Sequence, residues 1–122
     1  MQRRTTQRQA ILAAFDRSGR PLSMPELHAA AAGLAPKIGI ATVYRAVKGL
    51  LAERVLAPVA LPGQPSRYEL AGKSHHHHFS CRDCGKVYEL DDCPWDFKRI
   101  LPKGFKLKGH EMTLIGVCAE CA

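Results

Sequence analysis

Apolar positions Ile11, Leu12 and Phe15 fall on one helical face, with Thr5 or Thr6 before them as a capping hydroxyl and Ser18-Gly19-Arg20-Pro21 behind them as a stop. The spacing predicts a helix over 6–17. A second helix is expected over 24–32, where Ser23 can cap, Pro25 sits in the first turn, Glu26 stands three residues after the cap and alanines run on to Gly33. Beyond the Pro36-Lys37 turn, Val43, Val47, Leu50 and Leu51 recur at helical spacing and predict a third helix over 40–51. The period then shortens. Two apolar stretches, 55–61 and 66–70, are joined by Pro62-Gly63-Gln64-Pro65 and predict a β-hairpin.

Three helices followed by a hairpin is the order of a winged helix-turn-helix. On the third helix Thr42, Tyr44, Arg45 and Lys48 lie opposite the buried stripe. Such a face suits a major groove: arginine donates two hydrogen bonds to guanine, tyrosine presses on a thymine methyl, and threonine and lysine hold phosphates. Charge agrees with this placement. Residues 1–72 hold ten basic against four acidic side chains, a surplus of six, whereas residues 73–122 hold eight against seven. The end that binds a polyanion is the first. Arg67, on the hairpin, is read as touching a phosphate or only water, and His28, on the second helix, as a surface residue.

The second half has a different chemistry. Cys81-Arg82-Asp83-Cys84 and Cys118-Ala119-Glu120-Cys121 are two Cys-x-x-Cys pairs too far apart for a zinc ribbon, so the intervening chain must fold back to unite them. Four thiolates around one zinc make a closed structural site. Between the pairs, a strand is expected over 86–90, a short helix over 94–101 broken by Pro102-Lys103-Gly104, and a strand over 106–117 on which His110, Met112 and Leu114 share a face. His75-His76-His77-His78 is internal and precedes Phe79-Ser80. On a strand it sends His75 and His77 to one side and His76 and His78 to the other. Each imidazole pair needs further ligands, for which Glu69, Glu89, Asp91, Asp92, Asp96 and His110 are candidates.

With 122 residues, two such halves each fall below the size at which a core stands alone. A metal staple and pairing with a second copy are the expected remedies. The polar, basic start and the lack of an 18-residue apolar run predict no secretory leader and no membrane span, hence a cytoplasmic protein in a reducing compartment.

From about Thr5 to Cys121 the chain resembles the ferric uptake regulator family. The resemblance rests on Gly39-Ile40-Ala41-Thr42-Val43-Tyr44-Arg45, Arg67-Tyr68-Glu69-Leu70, His75 to His78, Cys81-Arg82-Asp83-Cys84-Gly85-Lys86-Val87, Gly109-His110 and Gly116-Val117-Cys118-Ala119-Glu120-Cys121. It implies an α+β chain, with a winged-helix DNA-binding domain and hinge over 1–72 and a small α/β dimerisation domain with structural zinc over 73–122. It also implies a bacterial homodimer that binds metal and then double-stranded operator DNA, commonly repressing uptake genes, and not an enzyme. By the same resemblance, Tyr44 and Arg45 contact bases and Arg3 enters the minor groove. Cys81, Cys84, Cys118 and Cys121 hold the structural zinc. His75, His77, Asp96 and His110 form a site in the dimerisation domain, and Glu69, His76, His78 and Glu89 one at the hinge. Pro21 stands where many relatives carry a further hinge histidine. Cys93 has no counterpart and is read as a core thiol, the alternatives being an additional ligand or a redox-sensitive group.

A zinc hydrolase and a metal-storage protein are the competing readings. A hydrolase would leave an open coordination position beside a carboxylate base. No His-Glu-x-x-His or nucleophile motif accompanies the histidines, and neither competitor explains the basic trihelical half. The histidine-rich ligand sets favour zinc over iron as the sensed metal, with manganese also accommodated. A metal gripped by Glu69, His76 and His78 is expected to couple the two domains and set the spacing of the recognition helices in a dimer.

Overall fold

The computed structural model describes residues 2–93 and 95–122, with residues 2–5 described by backbone alone. The chain divides into two compact units, Met1–Lys73 and Ser74–Ala122. Among the described residues no helix is long and apolar enough to cross a membrane.

The first unit opens with helix α1 (Gln2–Ser18), which starts four residues before the expected 6–17 because Gln2, Arg3 and Arg4 offer no breaker. Helix α2 (Met24–Ala32) has the capping box read from Ser23 and Glu26: Glu26 N–H donates to Ser23 Oγ at 3.3 Å and Ser23 N–H to Glu26 Oε1 at 3.0 Å. Helix α3 (Ile40–Ala52) buries Val43, Val47 and Leu50. These residues join Ile11, Phe15, Leu22, Leu27, Ile38 and Leu56 in one core. Strands β1 (Leu56–Leu61) and β2 (Gln64–Leu70) pair antiparallel around Pro62-Gly63, where Gly63 at φ 68° takes the left-handed position of a two-residue turn. The hairpin is tighter than expected because Pro65 sits at an edge, where its missing N–H costs nothing. Leu22 and Tyr68 exchange two backbone hydrogen bonds of 2.9 Å, tying the wing to the segment that leads into α2.

Two readings of this unit change. Arg67 has a protein partner: its Nη1 lies 2.6 Å from Glu26 Oε1, and Arg20 Nη1 lies 3.0 Å from Glu26 Oε2. His28 is half-buried rather than a surface residue, with Nε2 2.9 Å from the carbonyl of Ile38. Burial pushes the Glu26 carboxyl up, but the Ser23 N–H and the guanidiniums of Arg67 and Arg20 outweigh it and hold the group below its ordinary value. A depressed carboxylate stabilises the fold above the unfolded-state pKa, and that share is lost as the pH falls through the lower folded value. Glu26→Ala removes the N3 half of the cap and both ion pairs. It is expected to cost about 1–2 kcal/mol in a thermal melt at neutral pH, with the difference from the parent shrinking in acid.

The second unit is a three-stranded sheet in the order β4-β3-β5. Strand β3 (His77–Cys81) is central, antiparallel to β4 (Val87–Leu90) and parallel to β5 (Thr113–Gly116). A parallel neighbour requires a long crossover, and residues 91–112 provide it. The helix expected over 94–101 is a 3-10 turn, Phe97–Ile100, and Pro94 lies outside the described residues. The last strand is shorter than the expected 106–117, because Pro102, Gly104, Gly109 and the intervening lysines suit loops better than a pleat. The unit buries little apolar material: among the described residues its buried hydrophobic side chains are Cys81, Val87 and Cys118, two of them thiols.

Candidate metal centres and nucleic-acid interface

The sheet register explains how two distant Cys-x-x-Cys pairs meet. Cys81 ends β3 opposite Gly116 on the parallel β5, so the turn after each strand leaves the sheet at the same end. Gly85, at φ 77°, lets the first turn close with its N–H on the carbonyl of Cys81 at 3.0 Å. The N–H groups of Cys84 and Cys118 donate to Cys81 Sγ at 3.4 and 3.3 Å. All four sulfur atoms lie within 4.8 Å of one another. Cys84 Sγ and Cys118 Sγ are 3.8 Å apart, far beyond a disulfide bond, and all four thiols are free. Tetrahedral zinc with Zn–S bonds of about 2.3 Å separates its sulfurs by about 3.8 Å, the separation of Cys84 and Cys118.

The electrostatics also call for a cation. Backbone N–H groups, that of Cys84 foremost and then that of Cys118, pull the Cys81 thiol down to about 6. Cys121 is pushed up to about 12, chiefly by its hydrogen bond to Cys118 and then by burial. Tyr88 donates its hydroxyl to Cys118 and is itself raised to about 12. Cys81 ionises first because fixed donors face it, and four adjacent thiolates need a positive charge among them.

The alternation expected of the histidine run is present. His75 and His77 make an edge contact with ring centroids 4.5 Å apart, and His76 and His78 another at 4.9 Å. On the first face His110 joins them: its Nε2 lies 3.2 Å from His75 Nε2 and 3.1 Å from His77 Nε2. Burial, and after it the neighbouring imidazoles, lower the pKa of His77, keeping it in the neutral form that ligates metal. Asp96 is not brought to this group. Its carboxylate accepts from Lys98 N–H at 3.1 Å and caps the 3-10 turn. Cys93 is there instead, with Sγ 3.2 Å from His110 Nε2, so the reading of it as a plain core thiol is corrected. The register places it there: Cys93 follows Leu90, the partner of His77, by three residues.

On the second face His76 Nε2 is 3.7 Å from Glu89 Oε1, and Glu89 is the strand partner of His78. The ring of His76 donates through Nδ1 to the carbonyl of Ser74 at 2.8 Å, which leaves the lone pair on Nε2, as a ligand requires. Glu69 belongs to the first unit, on β2 opposite Ala57, with Lys73 Nζ 3.8 Å from its carboxylate.

On α3 the two faces separate cleanly. Val43, Val47 and Leu50 are buried, while Tyr44 is 53% exposed and Arg45 and Lys48 are also exposed. Thr42 is half-buried and accepts from Arg45 Nη2 at 3.2 Å, which steers the guanidinium along the helix. Arg3 lies within α1, and its side chain is outside the described residues.

A winged helix with a polar, cationic third helix, followed by a small sheet that gathers thiols and imidazoles, defines a metal-binding winged-helix protein. Residues 2–115 match the model of the ferric uptake regulator family, and the chain belongs to that family. Its members are transcriptional regulators rather than enzymes. The ferric uptake regulation protein of Campylobacter jejuni is 39% identical over 87 residues, covering 69% of this chain and 55% of that protein, so the match spans about half of the relative's length. Among solved structures, a zinc-bound manganese uptake regulator superposes with a TM-score of 0.79 at 29% identity, covering 92% of this chain and 87% of that one. The ferric uptake regulator of Helicobacter pylori, described as having three functional metal-binding sites, gives a TM-score of 0.69 at 29% identity over 94% of this chain and 79% of that one.

Proposed function

We propose that the protein is a metal-dependent, DNA-binding transcriptional regulator that acts as a homodimer on double-stranded operator DNA and represses metal-uptake genes, with zinc favoured over iron as the metal it senses. The observation that supports this most is the exposed Tyr44, Arg45 and Lys48 on a helix whose other face is locked into the core of a basic unit. A helix held in this way presents its side chains in a fixed register, which base readout requires. Two imidazole groups on the sheet, His75, His77 and His110 on one face and His76 and His78 beside Glu89 on the other, supply more ligands than one structural metal uses. Cys81, Cys84, Cys118 and Cys121 hold the structural zinc, and the imidazoles bind the effector cation.

The homodimer has a surface to use. Ile115 and Val117, on and just beyond the edge strand β5, are 63% and 41% exposed, apolar side chains that a second copy would cover. Proteins named for the uptake of iron and manganese are among the relatives in which this fold occurs. The effector proposed here is a divalent transition-metal cation, and a change in DNA affinity follows when the imidazoles are ligated in only one of two states.

The test is selection from a random pool of short duplexes by the purified protein, with zinc and with a chelator of moderate strength. The expected outcome is enrichment of an inverted repeat in the zinc arm alone. Recovery of unselected sequence in both arms would remove the DNA-reading function, and hydrolase screening of the same preparation then becomes the informative experiment.

A further inference from the structure

The imidazole group on the first face has a fourth member that the family pattern does not supply. The reactive atoms of His75, His77, Cys93 and His110 all lie within 4.8 Å of one another. His110 Nε2 is the hub: His75 Nε2 at 3.2 Å, His77 Nε2 at 3.1 Å and Cys93 Sγ at 3.2 Å all approach it. A neutral ring nitrogen carries either one hydrogen or one lone pair, so it satisfies one such neighbour and not three. A cation at the centre satisfies them all. Tetrahedral zinc, with bonds of about 2.0–2.1 Å to nitrogen and 2.3 Å to sulfur, places its ligand nitrogens about 3.3 Å apart and sulfur about 3.6 Å from each. The contacts to His110 fall within a few tenths of an ångström of those values.

The chain makes this set by local means. His77 is 2% exposed and sits opposite Leu90, the last residue of β4. Three residues on, the chain carries Cys93 to the His77 and His110 face. Asp96 is drawn away by the 3-10 turn, whose Lys98 N–H it caps.

Building on the reading of the protein as a metal-dependent regulator, we propose that this site is a three-imidazole, one-thiolate centre in which Cys93 is the fourth ligand and makes the site selective for zinc over ferrous iron and manganese. Carboxylate and water ligands suit manganese and other hard cations, and imidazole accepts several metals, whereas thiolate favours zinc and other soft or borderline ions. Three nitrogens and one sulfur complete a four-ligand shell and leave little room for the additional oxygen ligands of a six-coordinate ion. The soft atom and the geometry therefore select the same metal.

The experiment uses the full chain carrying one zinc per protomer in the four-cysteine site, titrated with cobalt(II) as a spectroscopic substitute for zinc. One further equivalent is expected to give tetrahedral visible bands together with a thiolate-to-cobalt charge-transfer band in the near ultraviolet. Cys93→Ser should lose the charge-transfer band and bind zinc at this site at least about 100-fold more weakly, since even outer-shell partners are worth roughly 10–100-fold in metal affinity. Cys93→Asp should narrow the preference for zinc over manganese, and Asp96→Asn should leave spectrum and affinity unchanged. Retention of the four-cysteine zinc and of the dimer mass shows that the variants are folded. The proposal is overturned if the charge-transfer band survives in Cys93→Ser, or if Asp96→Asn and not Cys93→Ser weakens zinc. Either result leaves the regulator reading in place, because that reading stands or falls on DNA binding measured with and without metal.

Discussion

Cys81→Ser or Cys118→Ser is expected to release the structural zinc and leave residues 74–122 without a stable fold, the largest single effect that a substitution in this chain should have. The reason lies in what the second unit buries. Its few buried apolar side chains include two of the zinc thiols themselves, while Trp95, Ile100, Phe105 and Ile115 are more than half exposed. Among the described residues little buried apolar material, Val87 foremost, remains to hold the sheet once the tetrad is broken. Structural zinc in small domains contributes about 10–16 kcal/mol of apparent binding free energy, which in such cases is folding free energy. Both cysteines stand where β3 and β5 leave the sheet side by side, so losing either frees the ends of both strands. The first unit has its own core of Ile11, Phe15, Leu27, Val43, Val47 and Leu50 and should keep its helical signal. Zinc content, dimer mass and circular dichroism check this together. A variant with native values in all three would show that the tetrad is not structural.

Arg45→Ala is expected to weaken binding to the selected operator by roughly 5- to 150-fold, which corresponds to the ~1–3 kcal/mol of a bidentate arginine–guanine contact, and to relax preference at one base pair per half-site. Arg45 is exposed on α3, oriented by its bond to Thr42 Oγ1, and stands beside Tyr44 on a helix whose opposite face cannot turn without exposing Val43 and Val47. Lys48, one turn further along the same face, should behave differently. Lys48→Ala removes a point charge, so it should weaken selected and unrelated duplexes alike and reduce the slope of log affinity against log salt by about 1. Fluorescence anisotropy against both kinds of duplex at several salt concentrations separates the two roles. Equal losses on both duplexes for Arg45→Ala would assign it to the backbone instead.

The parts of the fold legible in the sequence are those governed by local periodicity and caps. Helix α2 was readable to the residue because Ser23, Pro25, Glu26 and Gly33 each mark a boundary, and the hairpin was readable from Pro62-Gly63-Gln64-Pro65, although its turn takes only the first two of these residues. The four-cysteine site was legible from its two short spacings, and the division of the histidines into two pairs from strand alternation. What was not legible depends on tertiary choice. Glu26 closes its cap in a way the sequence displays, but its pairing with Arg67, 41 residues away, follows from the wing folding back on α2. Cys93 and Asp96 are three residues apart, and either could face the imidazoles in an α-helix. Only the 3-10 turn at Phe97–Ile100, which engages Asp96 as its cap, decides between them. The strand expected over 106–117 was overextended because alternation of His110, Met112 and Leu114 says nothing about the glycines and lysines that leave most of that segment unpaired.

Ligation of the imidazoles is expected to govern DNA affinity, while the four-cysteine zinc maintains the fold. Operator affinity as a function of buffered free zinc, for the native chain and for a His75→Ala, His77→Ala double variant that retains one zinc per protomer and its dimer mass, separates the two roles. The native chain should bind the operator tightly only once free zinc fills a second site, and the variant should stay weak across the same range. Tight binding by the native chain with the structural zinc alone, or a variant whose response to zinc matches the native one, would contradict that expectation.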